Sequence, residues 1–119
     1  MSKEITDNLI LIKDYNAFMT GIDAREVQRI REAVEPIASR YGIEKMYLFG
    51  SRARGDCREN SDYDFYIELN EVWGLFRLSS FFQDLHDAVG SEIDLLDSIS
   101  VDPSFLNTIL SEGVVIYEG

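Results

Sequence analysis

Asp62 and Asp64 are separated only by Tyr63, in a stretch from Asp62 to Leu69 where apolar and polar side chains alternate. In an extended strand, residues i and i+2 point to the same side, so the two carboxylates share one face. Two like charges held that close raise each other's pKa unless a cation sits between them. Hard divalent cations with oxygen ligands suit such a pair. Mg²⁺ in particular takes a few carboxylates together with substrate phosphates. Asp-x-Asp alone also occurs in turns and on solvated strand faces, so its chemistry depends on its surroundings.

Those surroundings are Phe49-Gly50-Ser51, followed by Arg52 and Arg54. A glycine at a strand end lets the backbone approach a ligand closely. Backbone N–H groups and a serine hydroxyl can then cradle phosphate oxygens. Arg54, with Arg52 as a second candidate, would neutralise phosphate charge through a forked guanidinium. The loop is not a Walker A loop, because Gly-x4-Gly-Lys-Ser/Thr is absent. Taken singly, Gly50-Ser51 could be a plain strand-to-helix turn, and the two arginines could be surface charge. A third acid, Asp94, stands between Ile93 and Leu95 and needs a partner if its side is buried. Across adjacent strands it could join Asp62 and Asp64. Asp97 competes for that role, but three residues further on it faces the other way in a straight strand and reads as a turn residue.

Other chemistries have little to work with. Cys57 is the only cysteine and His86 the only histidine. An internal disulfide and a multi-Cys zinc site are excluded, and His86 has no assigned role on its helix. The formal net charge is −11. Such a surface repels nucleic acid and favours bound cations and basic partners, so direct nucleic-acid binding is not expected. No stretch approaches the roughly 18 apolar residues of a membrane span. The start, MSKEITDN, is not that of a signal peptide, and the expected location is the cytoplasm.

The elements that must hold these residues follow from periodicity. Residues 1–22 read as an N-terminal arm, either amphipathic through Ile5, Leu9, Ile12 and Met19 or loosely ordered; residues 23–119 read as one domain. Asp23 is a helix N-cap with Glu26 as its capping-box partner. Val27, Ile30, Val34, Ile37 and Tyr41 give that helix an apolar face, with a kink expected at Pro36 and an end at Gly42. Lys45 to Phe49 is a buried strand. Residues 50–61 form a polar loop with room for one helical turn. Asp62 to Leu69 is the second strand, with Tyr63, Phe65, Ile67 and Leu69 on one face. Leu75 to Val89 is a helix with Leu78, Phe81, Phe82, Leu85 and Val89 on its apolar side. Glu92 to Leu96 is a third strand. Asp102 caps a last helix that starts at Pro103, with Phe105, Leu106, Ile109 and Leu110 as its apolar face. Val114 to Tyr117 is the fourth strand. This order predicts an α/β (α+β) domain, a small mixed β-sheet with helices packed on it.

The whole pattern resembles the minimal nucleotidyltransferase (MNT) branch of the DNA polymerase beta superfamily. The signature is Gly-Ser, ten residues, then Asp-x-Asp, and the chain reads Gly50-Ser51-RARGDCRENS-Asp62-Tyr63-Asp64. The third family acid matches Asp94 in EIDLL, and the start GSRARG and the close ILSEGVVIYEG also fit. The resemblance covers about residues 24 to 118 and implies the polymerase-beta-type nucleotidyltransferase fold. It also implies that Asp62, Asp64 and Asp94 are the catalytic and metal-binding acids, holding two Mg²⁺ ions. Gly50, Ser51, Arg52 and Arg54 would bind the nucleotide, with ATP as substrate, and Asp94 would accept the proton of the attacking hydroxyl.

Larger relatives carry an added helical domain that shapes the acceptor site, and this chain ends soon after its last strand. The acceptor is therefore expected on a partner or a dimer mate. In the MNT branch that partner is a HEPN-domain RNase toxin, and the MNT protein is an antitoxin that transfers AMP to a toxin tyrosine. Two alternatives stand beside this. One is an antitoxin that acts by binding alone. The other is a transferase for a small-molecule hydroxyl, with a separate helical subunit.

Overall fold

The computed structural model describes residues 24–55 and 61–119. The N-terminal arm, Asp23 with its capping role, and Cys57 fall outside the described residues. The element order is α1 (Ala24–Tyr41), β1 (Lys45–Phe49), α2 (Ser51–Arg54), β2 (Tyr63–Glu68), α3 (Leu75–Val89), β3 (Ile93–Asp97), α4 (Pro103–Glu112) and β4 (Val114–Glu118).

The four strands form one mixed sheet in the order β3-β2-β1-β4. β1 pairs antiparallel with both β2 and β4, and β2 pairs parallel with β3. The parallel pair needs a crossover, which α3 supplies. Alternation along the strands separates two apolar layers. Met46, Leu48, Phe65 and Ile67 meet Val27, Ile30 and Val34 of α1 and Phe81 and Leu85 of α3. On the other face Tyr47, Phe49 and Tyr66 meet Ile109 of α4, with Leu96, Leu106 and Val115 at the margin. The second layer is thin, because α4 is short and covers only part of that face. That leaves the strand ends beside it open for a site. Among the described residues no helix is long and apolar enough to cross a membrane.

Several expected boundaries shift. α1 continues through Pro36 as a single helix. A proline removes one donor, and the burial of Ile30, Val34, Ile37 and Ala38 around it holds the helix together. Glu26 pairs with Arg29 and Tyr63, and its expected capping-box contact with Asp23 lies outside the described residues. β2 starts at Tyr63, so Asp62 precedes the strand, and Leu69 follows its end. β3 runs from Ile93 to Asp97, one residue later than expected at both ends. Phe82, Phe105 and Leu110, expected on apolar helix faces, are partly exposed. The capping of α4 is as expected: Asp102 accepts a bond from the Ser104 amide, and Pro103 opens the helix.

Candidate functional site

Gly50 ends β1 with φ 74° and ψ −154°, a backbone conformation essentially restricted to glycine. Space imposes the same choice. A Cβ on Gly50 would lie 2.2 Å from Oδ2 of Asp64. The turn and the carboxylate thus occupy one another's room, which explains why a glycine must precede Ser51. The Gly50 carbonyl accepts bonds from the amides of Ala53 and Arg54, and buried Ala53 pins the short α2 against the sheet. Ser51 and Arg54 then project beside the strand end.

Asp64 lies directly across from Phe49 on β1 and from Asp94 on β3. Side chains opposite each other in paired strands share a face, so Asp64 and Asp94 are neighbours. The Asp64 carboxyl is half-buried and is pushed up from 3.8 to about 6. Burial is the largest cause, followed by the charge of Asp94, a hydrogen bond with Asp94 and the charge of Asp62. Arg54 acts in the opposite direction. The other two acids named from the sequence, Asp62 and Asp94, are exposed and both act on Asp64. Among the described residues, no three His, Cys, Asp or Glu side chains are gathered tightly enough to form a ready-made metal site. Repulsion between carboxylates gives a physical reason for that spread.

Phe49, Gly50, Ser51, Arg54 and Asp64 line one side of a cavity of about 330 Å³, and α4 lines the other. The α4 wall consists of Phe105, Thr108, Ile109 and Glu112. In the sequence Phe105 and Ile109 read only as packing residues, and nothing marks Thr108 or Glu112 taken singly. The signal was present, since 105, 108 and 112 follow the i, i+3, i+7 spacing of one helix face. Phe105 remains 42% exposed at the cavity rim, edge-on to Phe49 at 5.9 Å between ring centres. Glu112 stands 3.9 Å from the Arg54 guanidinium and ties α4 to α2.

Arg52 is directed elsewhere. Its Nε and Nη2 donate to the Ser61 carbonyl at 3.2 and 2.9 Å. Its guanidinium lies 4.3 Å from the centre of the Tyr63 ring. Tyr63 points to the α1 side of the sheet, where its hydroxyl donates to Glu26 and accepts from Arg29 at 2.9 Å. Arg29 in turn forks onto Glu26 with two contacts of 3.1 Å. The Arg29 hydrogen bond is the largest influence holding the Glu26 carboxyl below its usual range. Arg52 thus stands behind the acids and does not line the cavity. Asp97 closes the β3 turn, accepting from the Ile99 and Ser100 amides at 2.9 Å each. His86 sits on α3 beside Asp87 and Glu92, away from the cavity.

A family model described as "Polymerase beta, Nucleotidyltransferase" matches residues 32–119. A Methanocaldococcus jannaschii protein named as a candidate protein adenylyltransferase is 32% identical over 88 residues, covering 74% of this chain and 95% of that protein. The protein adenylyltransferase MntA of Thermococcus cleftensis is 26% identical over 99 residues, covering 82% of this chain and 100% of that protein. Among solved structures, a complex of tri-AMPylated Shewanella oneidensis HEPN toxin with MNT antitoxin contains a chain of similar fold. Its TM-score is 0.62 at 18% identity, over 78% of this chain and 73% of that one.

Proposed function

Because this chain belongs to the polymerase beta nucleotidyltransferase family, we propose that it is a protein adenylyltransferase of the antitoxin type, moving AMP from ATP to a tyrosine hydroxyl of a HEPN-domain toxin in the cytoplasm. One observation carries the reading. Asp64 and Asp94 stand side by side across β2 and β3, and Asp64 also lines the cavity that Gly50, Ser51 and Arg54 share.

The residues fit Mg²⁺ as the metal. Facing carboxyl groups at Asp64 and Asp94, joined by a hydrogen bond, are what a cation would stabilise in their ionised form. Mg²⁺ also binds through one or two carboxylates when substrate phosphates complete its shell, so a pre-gathered trio is not required. Asp62, Asp64 and Asp94 would hold it, and two ions are the proposed number. When bound, Mg²⁺ supplies charge stabilisation at the attacking and leaving oxygens.

The chain's own groups account for the rest. Ser51 and the Gly50 backbone hold the β- and γ-phosphates, and Arg54 exchanges its contact with Glu112 for phosphate oxygens. The exposed Asp94 can be reached by a hydroxyl carried on another protein, and its carboxylate accepts that hydroxyl's proton. The hydroxyl oxygen bonds to the α-phosphorus, the bond from that phosphorus to the oxygen bridging to the β-phosphate breaks, and pyrophosphate leaves. The partly exposed apolar α4 wall, with Phe105 at the rim, gives the nucleoside a surface to rest on.

The test is to incubate the protein with ATP, Mg²⁺ and a HEPN-domain toxin from the same organism. Intact mass spectrometry should show the toxin gaining the mass of AMP residues, with the modified position a tyrosine. Asp62→Asn/Asp64→Asn should abolish the gain while leaving the fold intact. A double variant that still neutralises the toxin fully would replace catalysis with binding alone as the mode of action.

A further inference from the structure

Asp62 has a demanding position. It precedes β2 and is exposed, so no strand ladder or core packing fixes it. Both of its chain neighbours are held by one side chain. The Ser61 carbonyl receives two bonds from Arg52, at 3.2 and 2.9 Å, and the Tyr63 ring lies 4.3 Å from the same guanidinium. The far end of Tyr63 is fixed in turn by Glu26 and Arg29 of α1. Arg52 itself stands on α2, one residue from Ser51 and beside buried Ala53. A single planar group therefore ties the Gly50-Ser51 side of the site to the peptide that carries Asp62.

We propose that Arg52 is a positioning residue that sets Asp62 for metal binding by clamping Ser61 and Tyr63 on either side of it, and is not a phosphate ligand. This rests on the nucleotidyltransferase reading above. Geometry favours it over the phosphate role suggested by the signature. The Arg52 guanidinium stacks on Tyr63, whose side chain belongs to the core layer on the α1 side of the sheet. The cavity shared by Ser51, Arg54 and Asp64 lies on the opposite side and does not include Arg52. A planar fork that donates twice to one carbonyl while stacking on a ring is a task for arginine, and lysine cannot perform it. Groups that orient a metal ligand without touching the metal typically change metal affinity or activity 10- to 100-fold, by order of magnitude, when removed.

The experiment uses the full chain with Mn²⁺ as a paramagnetic probe, titrated with a non-hydrolysable ATP analogue present, and in parallel Mg²⁺-dependent AMP transfer to the toxin. In Arg52→Gln the metal affinity and kcat should fall about 10- to 100-fold, while the KM for ATP at saturating metal stays within about twofold. Arg52→Lys should fall with it, since the charge is kept and the fork is lost. Glu26→Gln loosens Tyr63 and weakens the field on Arg52 while leaving the cavity lining intact, and should weaken metal binding roughly threefold or more. Melting temperatures exclude global unfolding as the cause. A raised KM for ATP with unchanged metal affinity would make Arg52 a phosphate ligand and overturn the clamp. So would a lysine variant with the wild-type metal response, or a Glu26→Gln variant that leaves it unmoved. If the wild type neither binds Mn²⁺ nor transfers AMP, the nucleotidyltransferase reading is what fails.

Discussion

The start of β2 carries charged groups on both faces of the sheet, and the two sets are built differently. On the cavity side, burial and the charges of Asp94 and Asp62 make ionised Asp64 unfavourable, with Arg54 as a partial counterweight. On the α1 side, Glu26, Arg29, Tyr63 and Arg52 alternate donor, acceptor and aromatic face, and their contacts are mutually favourable. The two sets meet in one tripeptide, where Ser61 and Tyr63 contact Arg52 and Asp62 between them belongs to the cavity side. One face is rigid and satisfied, and the other is held in an arrangement it would not choose. That division suits a site whose missing positive charge arrives with its substrate. It also separates groups that should touch metal and substrate from groups that should hold them in place.

The largest effect should come from removing charge on the cavity side. Asp64→Asn is expected to lower AMP transfer by at least roughly 10²–10³-fold, as loss of a group stabilising transition-state charge does. Steady-state transfer assays with saturating ATP and Mg²⁺ check it. A variant retaining a tenth of wild-type kcat would break the contrast, because Asp64 would then be a bystander on its own face.

Gly50→Ala comes next and acts through backbone and space together. The new methyl would lie 2.2 Å from Asp64 Oδ2, at a residue whose φ is 74°. The strained backbone costs on the order of 1–3 kcal/mol, and displacement of Asp64 adds loss of function. The melting temperature should fall by several degrees and transfer should drop with it. Alanine at Gly42, which also has positive φ but open space around it, measures what positive φ costs without crowding. If the two alanine variants are equally active, the crowding between Gly50 and Asp64 has no catalytic weight.

The chain made the acids easier to read than the group that orients them. Asp62, Asp64 and Gly50-Ser51 stand close in sequence, and their strand-end context follows from alternation and a glycine stop. Asp94 was legible as a charge between two apolar residues, and β3 pairs it with Asp64 in register. The helices and strands followed periodicity, with shifts of one residue where the strand ends are set by pairing. The α4 wall was less legible, because Phe105 looks like any core aromatic until the short helix leaves it at the rim. The destination of Arg52 was not legible, since a guanidinium two residues from a phosphate-loop glycine reads as a phosphate ligand. Only the stacking of Tyr63 behind the strand, fixed by Glu26 and Arg29 from a different element, turns it away. Such contacts span separations of 34 and 37 residues and leave no local pattern.

The smallest expected effect is on stability, and it gives the two faces opposite signs with pH. In the metal-free fold Asp64 holds its proton more tightly than usual, at about 6 against 3.8. Ionising it therefore costs stability. The cost is absent below about pH 3.8, grows as pH rises and is complete above about pH 6. Glu26 is the reverse case, held below its ordinary 4.5 by Arg29, so its contribution is present above 4.5 and lost as pH falls through the lowered value. Asp64→Asn should accordingly stabilise the chelator-treated protein at pH 7 by about 1–2 kcal/mol, after allowance for its partial exposure, and should be near neutral at pH 3.5. Glu26→Gln should destabilise at pH 7, with a loss that shrinks toward pH 3. Urea titrations of the three proteins at both pH values measure this directly. Adding Mg²⁺ with a non-hydrolysable ATP analogue should remove the advantage of Asp64→Asn, since the carboxylate that was a cost becomes a ligand. A gain at pH 7 that persisted with metal and nucleotide would mean the acids repel for reasons unrelated to binding, and the two faces would no longer divide into one for chemistry and one for support.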